Sequence, residues 1–168
     1  MKKHILAVIV LVAIFAGFLF YASWPTATGT GVELKLMPVD PFDLIRGQYL
    51  TLNYEINRHA SLPDIPDEAT VYVLLEKGTD EIYHAISVSQ SWPQKSKGQV
   101  VIRGVAHKDW IEYGIESYFI ERGAALKERM TDVTAYVKIL PDGRASIVEL
   151  RKDHKPVEFE YRNVTFTS

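Results

Sequence analysis

Two hydrophobic patterns divide the chain. The residues from Ile5 to Trp24 are uncharged and mostly apolar, whereas beyond Val32 apolar and polar residues alternate in short runs. A long continuous apolar run is typical of a helix that is apolar on all sides, and alternation with a period of two is typical of a β-strand with one buried face. The sequence therefore predicts an N-terminal apolar helix followed by a β-rich domain.

The alternation predicts a series of short strands. In one of them Leu50, Leu52, Tyr54 and Ile56 share a face. Further strands are expected over 32–37, 70–75, 82–88, 99–106, 133–139, 145–150 and 157–161. Turns over 77–80 and 141–144 connect two pairs of them as hairpins. One soluble helix is expected over 121–130, because alanine, leucine, lysine, glutamate and arginine favour helix there.

These elements predict a mainly β fold, a β-dominated α+β domain built as an antiparallel sandwich or a partly open barrel. Parallel doubly wound folds are disfavoured, because strands and helices do not alternate along the chain. The expected organisation is a cytoplasmic tip and transmembrane anchor over 1–24 and a small, polar tether over 25–31. A β-rich domain over 32–161 and a tail over 162–168 follow.

The N-terminal run has the length of a membrane span. Twenty helical residues at about 1.5 Å each reach the roughly 30 Å of a bilayer core. Lys2 and Lys3 precede the run, and the next charged residue is Glu33. The positive-inside rule then predicts a cytoplasmic N-terminus and an extracytoplasmic domain. A cleaved signal peptide is the alternative, although its apolar region is usually only about 7–15 residues long.

Composition narrows the possible functions. The 168 residues carry a formal net charge of −2 and contain no cysteine. A nucleic-acid partner is not expected, because such proteins present a strongly basic face. Disulfides, thiolate metal sites and a cysteine nucleophile are excluded. The lipid bilayer, contacted through the N-terminal helix, is the first expected partner.

Motifs for catalysis are weak. The histidines lack metal-binding spacing, so no metal is expected, and His84 on the apolar face of its strand is interpreted as a hydrogen-bonded core residue. No nucleophile elbow or phosphate-binding loop is present, and no cofactor is expected. The carboxylate pairs Asp40/Asp43 and Glu116/Glu121 leave a hydrolase open, since two carboxylates across a cleft can cleave glycosidic bonds.

A polar and aromatic surface is the candidate binding site. Tyrosine and arginine are favoured in protein interfaces, and the segments around 46–49 and 113–121 are rich in such residues together with carboxylates. The residues predicted to converge are Arg46, Gly47, Tyr49, Tyr113, Glu116, Tyr118 and Glu121. The alternative is that the aromatic rings fill the core and that Arg46 pairs with a carboxylate near the turn.

The segment Gly47-Gln48-Tyr49-x-x-Leu52-x-Tyr54 resembles the motif of the GDYXXLXY family of uncharacterised, membrane-anchored bacterial proteins. The prolines and aspartate at 38–41 and the run 113–123 also resemble that family. Gln48 stands where the family has aspartate, which favours a turn or pairing role over a catalytic one at this position. The resemblance implies the bacterial inner (cytoplasmic) membrane, with a multi-spanning membrane protein as a possible partner.

The sequence therefore predicts a non-enzymatic, single-pass protein that acts as an accessory or binding module for a membrane or envelope partner. An envelope hydrolase that uses paired carboxylates is the alternative. A small-ligand binding domain with an open apolar interior is a further possibility.

Overall fold

The computed structural model describes residues 2–37, 45–46, 49–58, 65–121, 124–126 and 133–161. Its elements are one α-helix, one short 3₁₀ helix and a set of strands. They are α1 (Lys2–Thr28), β1 (Thr30–Lys35), β2 (Ile45–Arg46), β3 (Tyr49–Thr51), the 3₁₀ helix Glu55–Asn57, β4 (Thr70–Lys77), β5 (Tyr83–Ser89), β6 (Val100–Ala106), β7 (Ile111–Glu112), β8 (Ser117–Phe119), β9 (Ala124–Leu126), β10 (Thr134–Ile139), β11 (Ala145–Lys152), β12 (Lys155–Pro156) and β13 (Phe159–Tyr161).

The described strands form four antiparallel sheets. Two have four strands, in the orders β1-β10-β11-β12 and β5-β4-β6-β7. The smaller ones are β2-β3-β8 and β13-β9. Each order is linear, so none of these sheets closes on itself. The prediction of a β-dominated fold with antiparallel sheets is confirmed, and both predicted hairpins are present as β4–β5 and β10–β11.

The two four-stranded sheets share one hydrophobic core. Along β10 burial alternates, with Ala135, Val137 and Ile139 inside and the residues between them partly exposed. The same period places Leu34 of β1 and Ile102 of β6 in a single cluster with them. Burial of these apolar faces at about 25 cal/mol per Å² is the main term that stabilises the domain.

The predicted strand 49–56 is shorter than expected but buries the expected residues. Only β3 pairs within a sheet, and beyond it the Leu52 N–H donates to the Glu116 carbonyl at 2.8 Å. Tyr54 then forms a bridge to Leu36, next to the end of β1. Leu50, Leu52, Tyr54 and Ile56 are all buried. This segment therefore changes partners along its length and ties the β2-β3-β8 sheet to β1.

The predicted helix 121–130 is wrong where the structure describes it. Residues 124–126 form β9, in which Leu126 lies opposite Phe159 of β13. Glu121 is exposed and lies outside any helix, and 122–123 and 127–130 lie outside the described residues. Helix propensity is a weak preference, and here strand pairing with a distant segment overrides it.

The structure also replaces the predicted tether with regular structure. Helix α1 continues to Thr28, β1 begins at Thr30, and only Gly29, which is buried, lies between them. Thr30 lies opposite Ile139 in the ladder between β1 and β10. Residues 25–28 therefore continue the helix and 30–31 pair with β10, although the composition of this stretch is typical of a linker.

The described side chains of α1 are those of residues 6 and 8–21. The leucine, isoleucine, valine and phenylalanine residues among them are at least half exposed. Within the part of the chain that the structure describes, no helix combines the length and the apolar character needed to cross a membrane.

Candidate functional site

The predicted binding residues that the structure describes lie in different environments. Arg46 is in β2 and its backbone pairs with Tyr49 of β3. Its side chain and the whole of Gly47 lie outside the described residues. The predicted turn at Gly47 is therefore consistent with an antiparallel β2–β3 pair but is not itself described.

Tyr49 is on the exposed face of the β2-β3-β8 sheet, as predicted. It lies opposite Phe119 of β8 in the ladder. Their ring centroids are 5.6 Å apart and the rings meet edge to face at 73°. Tyr49 is 53% exposed and Phe119 is 56% exposed. Tyr49 of the predicted set is therefore exposed, and it forms an aromatic pair with Phe119, which was not in that set.

Tyr113 is buried, Glu116 is partly buried, and both make hydrogen bonds within the domain. Tyr113 is only 6% exposed, and its hydroxyl donates to the Ile56 carbonyl at 2.7 Å. Its backbone N–H donates to the Glu116 carboxylate at 2.6 Å. Burial raises the pKa of the Tyr113 phenol well above its usual value, and the Glu116 charge raises it further. The sequence could not reveal which side of the chain this tyrosine faces.

Tyr118 lies apart from the aromatic pair, and Glu121 is exposed. Tyr118 is half-buried and lies opposite Leu50, which is buried. Its ring stacks on Phe159 with centroids 6.5 Å apart. Since neighbouring residues of a strand point to opposite faces, Tyr118 faces away from Phe119. Because the Glu116 carboxylate caps its own turn and 40–44 lie outside the described residues, the hydrolase alternative stays a prediction.

A buried polar cluster surrounds the second tyrosine of the sequence motif. The Tyr54 hydroxyl donates to the Ile115 carbonyl at 2.6 Å. The Asn57 side chain accepts a hydrogen bond from the Tyr54 N–H and donates to the Ile111 carbonyl at 2.6 Å. Both side chains are buried and fully bonded, so the cluster joins 54–57 to 111–115. Sequence analysis missed Asn57, which carries no distinguishing pattern.

A cleft of about 560 Å³ opens beside this cluster. Trp110, which is 39% exposed, forms part of its wall, and its indole stacks on His107 with ring centroids 4.9 Å apart. Because Met37 lies in the wall, the cleft is near the end of β1 that is remote from α1. Its lining residues are Met37, Asn53, Tyr54, Glu55, Asn57, Arg58, Asp109 and Trp110.

His84 lies between two carboxylates. Its Nδ1 is 3.0 Å from Glu55 Oε1, and its Nε2 is 3.1 Å from Asp80 Oδ2. The hydrogen bond to Glu55 raises the pKa of His84, and Asp80 adds to the effect. Lys35 also lies 3.5 Å from Glu55. The predicted hydrogen bonding of His84 is confirmed, but the residue is partly exposed rather than in the core.

Glu33 is the buried acid of β1. It accepts hydrogen bonds from Arg151 at 2.9 Å and lies 2.9 Å from His154 Nδ1. Burial alone would raise its pKa, but the hydrogen bonds from Arg151 and His154 outweigh burial and hold the pKa below its usual range. Asp153 and His154 both have positive φ, as a two-residue β-hairpin turn requires. This turn connects β11 to β12 and places His154 on Glu33.

A second large cleft, of about 670 Å³, lies between β6 and the β10–β11 turn (140–144). Arg103 and Arg144 line it together with Glu112. Among the described residues, no group of three or more histidine, cysteine, aspartate or glutamate side chains is arranged to hold a metal ion.

A family model described as GDYXXLXY protein matches residues 11–150 of the chain. This match covers most of the sequence, so the chain belongs to the GDYXXLXY family. No curated relative and no solved structure matches the chain. Within the motif, Tyr49 is exposed, whereas Leu52 and Tyr54 are among the most deeply buried residues of the domain.

Proposed function

We propose that this member of the GDYXXLXY family is a single-pass, membrane-anchored binding module. In this proposal α1 crosses a bacterial cytoplasmic membrane, the β domain lies on the extracytoplasmic side, and the aromatic pair Tyr49–Phe119 docks a protein partner. The observation that carries the proposal is the connection of α1 to β1 through Gly29 alone. A helix joined so closely to the domain fixes the face that the domain turns toward the membrane.

The apolar character of α1 supports an anchor. The sequence from Ile5 to Trp24 contains no charged residue, and the described side chains cover only part of this run. Leucine, isoleucine, valine and phenylalanine each contribute about −0.3 to −0.6 kcal/mol at the centre of an inserted helix. A helix with exposed apolar side chains on all sides is stable in lipid, whereas the same exposure is unfavourable in water.

The aromatic pair supports a protein partner. Aromatic side chains supply large contact areas in interfaces, and the most important contacts lie where such side chains become fully desolvated. Tyr49 and Phe119 are both more than half exposed in the isolated chain, although each makes only an edge contact with the other. A partner that covers both rings would bury them without disturbing the core, since Leu50 and Tyr118 face the opposite side.

The test is site-specific photo-crosslinking in the native membrane. A photoreactive amino acid replaces Tyr49 or Phe119 in the full-length protein, and the matched control carries it at Val148. Val148 is an exposed apolar residue of β11, which belongs to a different sheet from Tyr49 and Phe119. We expect one crosslinked protein that is shared by the Tyr49 and Phe119 positions and absent from the Val148 position.

Two results would contradict this proposal. Identical products from all three positions would mean that the crosslinks report random collisions and not a docking surface. Recovery of the full-length protein in the soluble fraction, after membranes are sedimented, would remove the anchor on which the proposal depends.

A further inference from the structure

The β10–β11 turn lies beside the C-terminal part of α1. Arg144 Nε pairs with Asp142 Oδ2 at 2.7 Å, and this pairing raises the pKa of its guanidinium, with a smaller contribution from Tyr21 of α1 nearby. Tyr21 is seven residues before the end of α1, a distance of about 10 Å at 1.5 Å per residue. The helix also contacts β10 and β11. The turn therefore runs alongside the last two turns of the helix and does not extend away from it.

The same turn contacts β6 and an exposed tryptophan. The Arg103 N–H donates to the Gly143 carbonyl at 2.8 Å. A methyl group added to Gly143 would lie 3.3 Å from the Trp92 ring, so this ring packs directly on the turn. Trp92 is 44% exposed and also meets Tyr72 edge to face, with centroids 5.2 Å apart. Trp92 and Arg103 therefore lie on the same side of the domain as the C-terminal end of α1.

Positive charge collects on this side. Trp92 belongs to the loop 90–99, which also carries the exposed Lys95 and Lys97. The sequence contains no aspartate or glutamate between Glu81 and Asp109. Among the described residues, Arg103 forms no ion pair, and its charge contributes to lowering the pKa of Asp142.

Two carboxylates near the cleft are already engaged. Asp142 accepts from Arg144 Nε at 2.7 Å. Glu112 lies in the wall of the cleft and is 3.1 Å from Nε2 of His107. Arg103 therefore has its guanidinium available for an anion that enters the cleft of about 670 Å³, and Arg144 faces the same space.

We propose that this cleft, bordered by Arg103 and Arg144, binds the phosphate of an anionic phospholipid headgroup in the leaflet where α1 ends. Arginine binds phosphate oxygens through paired N–H donors. Trp92 supplies the amphipathic ring that favours the membrane–water interface, and the loop lysines add attraction to an anionic surface. The inference rests on the proposed membrane anchor, since only then does this side of the domain meet lipid.

The test uses the full-length protein in vesicles of phosphatidylcholine, with or without phosphatidylglycerol. After mild detergent extraction, native mass spectrometry counts the phosphatidylglycerol and phosphatidylcholine molecules that remain bound. We expect the wild type to retain phosphatidylglycerol preferentially. A basic residue near an anionic surface contributes about fivefold in affinity, so the double variant Arg103→Gln/Arg144→Gln should lose roughly 25-fold in preference.

The matched control is Arg58→Gln/Lys108→Gln. It removes two exposed cations, and Arg58 lies in the cleft of about 560 Å³ that includes Met37. Met37 is seven residues after Thr30 along β1 and its extended continuation, so at about 3.3 Å per residue it lies roughly 23 Å beyond Thr30. This control should keep the lipid preference. Thermal unfolding of each variant shows that lost binding is not lost folding.

A second measurement reports the position of the tryptophan directly. In variants that keep only Trp92 or only Trp110, headgroup spin-labelled lipids should quench Trp92 fluorescence strongly and Trp110 fluorescence weakly. This readout does not depend on the arginine variants and so remains informative if one of them fails to fold.

Each outcome decides a separate point. Equal retention of the two lipids, or equal loss in the control variant, overturns the headgroup site while leaving the anchor in place. If soluble glycerol phosphate fully displaces the bound phosphatidylglycerol, the cleft binds a free phosphate. That result contradicts the claim that its ligand is a lipid headgroup. Release of the wild type from vesicles by alkaline carbonate overturns the proposed function, and the headgroup site with it.

Discussion

Replacement of Tyr54 by phenylalanine removes one oxygen from the buried cluster that joins 54–57 to 111–115. The Tyr54 hydroxyl donates to the Ile115 carbonyl at 2.6 Å, and Tyr54 itself is 1% exposed. Phenylalanine keeps the ring and its packing, so the substitution tests the hydrogen bond alone. The Ile115 carbonyl would be left without this partner in a region that water does not reach.

The expected cost follows from that burial. A net hydrogen bond contributes about 1 kcal/mol, and an unsatisfied buried carbonyl costs about 1–3 kcal/mol. For a domain of about 130 residues the entropy of unfolding is about 0.27 kcal/mol/K, so Tm should fall by roughly 4–11 °C. Tyr113→Phe should have a similar effect, because its hydroxyl makes the equivalent bond to Ile56 at 2.7 Å.

The assay is thermal unfolding of the full-length protein in detergent, followed by the near-ultraviolet signal of the domain. Tyr49→Phe is the matched control, because it removes the same atom from an exposed tyrosine of the same motif. The control should change the free energy of unfolding by less than about 0.5 kcal/mol. The double variant Tyr54→Phe/Tyr113→Phe should lose less unfolding free energy than the sum of the two single losses, because both residues stabilise the same junction.

An unchanged Tm for Tyr54→Phe would refute this reasoning. It would mean that the hydroxyl is dispensable and that the motif tyrosine does not hold the two segments together through Ile115. A loss as large for Tyr49→Phe would refute it in another way, by showing that the exposed position also carries stability.

Three further predictions concern other parts of the domain. His84→Gln should lower Tm most at acidic pH, because the hydrogen bond that the His84 ring makes to the Glu55 carboxylate raises the pKa of His84 above 6.5. That stabilisation is complete below pH 6.5 and disappears as pH rises through the folded pKa, so a difference in Tm that grows toward alkaline pH would contradict it. Glu33→Gln should destabilise the domain by about 1–3 kcal/mol in chemical denaturation, because the buried Glu33 oxygens accept a hydrogen bond from Arg151 and contact His154 Nδ1. The exposed Glu158→Gln is the control. Gly104→Ala should cost about 1–3 kcal/mol, since the added methyl would meet the Ile111 side chain at 2.5 Å; an unchanged denaturation midpoint would show that β7 moves aside without cost.

Alternation of apolar residues was sufficient to predict the principal strands. Val133, Ala135, Val137 and Ile139 alternate in the sequence and are all buried. Hairpins such as β10–β11 form locally, so their turns and strands carry the necessary information in adjacent residues. The same argument explains why β4 and β5 were predicted correctly.

One element that depends on a distant partner was predicted wrongly. Ala124–Leu126 pairs with Phe159–Tyr161, far away in sequence, and residues 124–126 favour helix when considered alone, whereas a strand was expected over 157–161. Within the stretch expected to be a tether, residues 25–28 continue α1, and 30–31 are ordered by β10, more than a hundred residues later. Composition reports what a segment prefers in isolation and not what it pairs with.

The candidate surface was predicted only in part, because tyrosine is common both in cores and in interfaces. Tyr49 faces outward, whereas Tyr113 is buried with its hydroxyl bonded to a carbonyl 57 residues away. Phe119 could be identified as the partner of Tyr49 only from the register of β3 with β8. Single-residue patterns did not indicate the cleft beside Arg103, which is formed by a turn from the other four-stranded sheet.

The central claim is that α1 crosses the membrane and leaves the β domain on the extracytoplasmic side. The chain has no cysteine, so an introduced cysteine reacts uniquely with a thiol reagent. We would label intact bacteria that have a permeable outer surface with a membrane-impermeant maleimide, using His4→Cys and Glu158→Cys variants. The account predicts labelling of Glu158→Cys in intact cells and of His4→Cys only after lysis. Labelling of both positions only after lysis, or the reverse pattern, would contradict it.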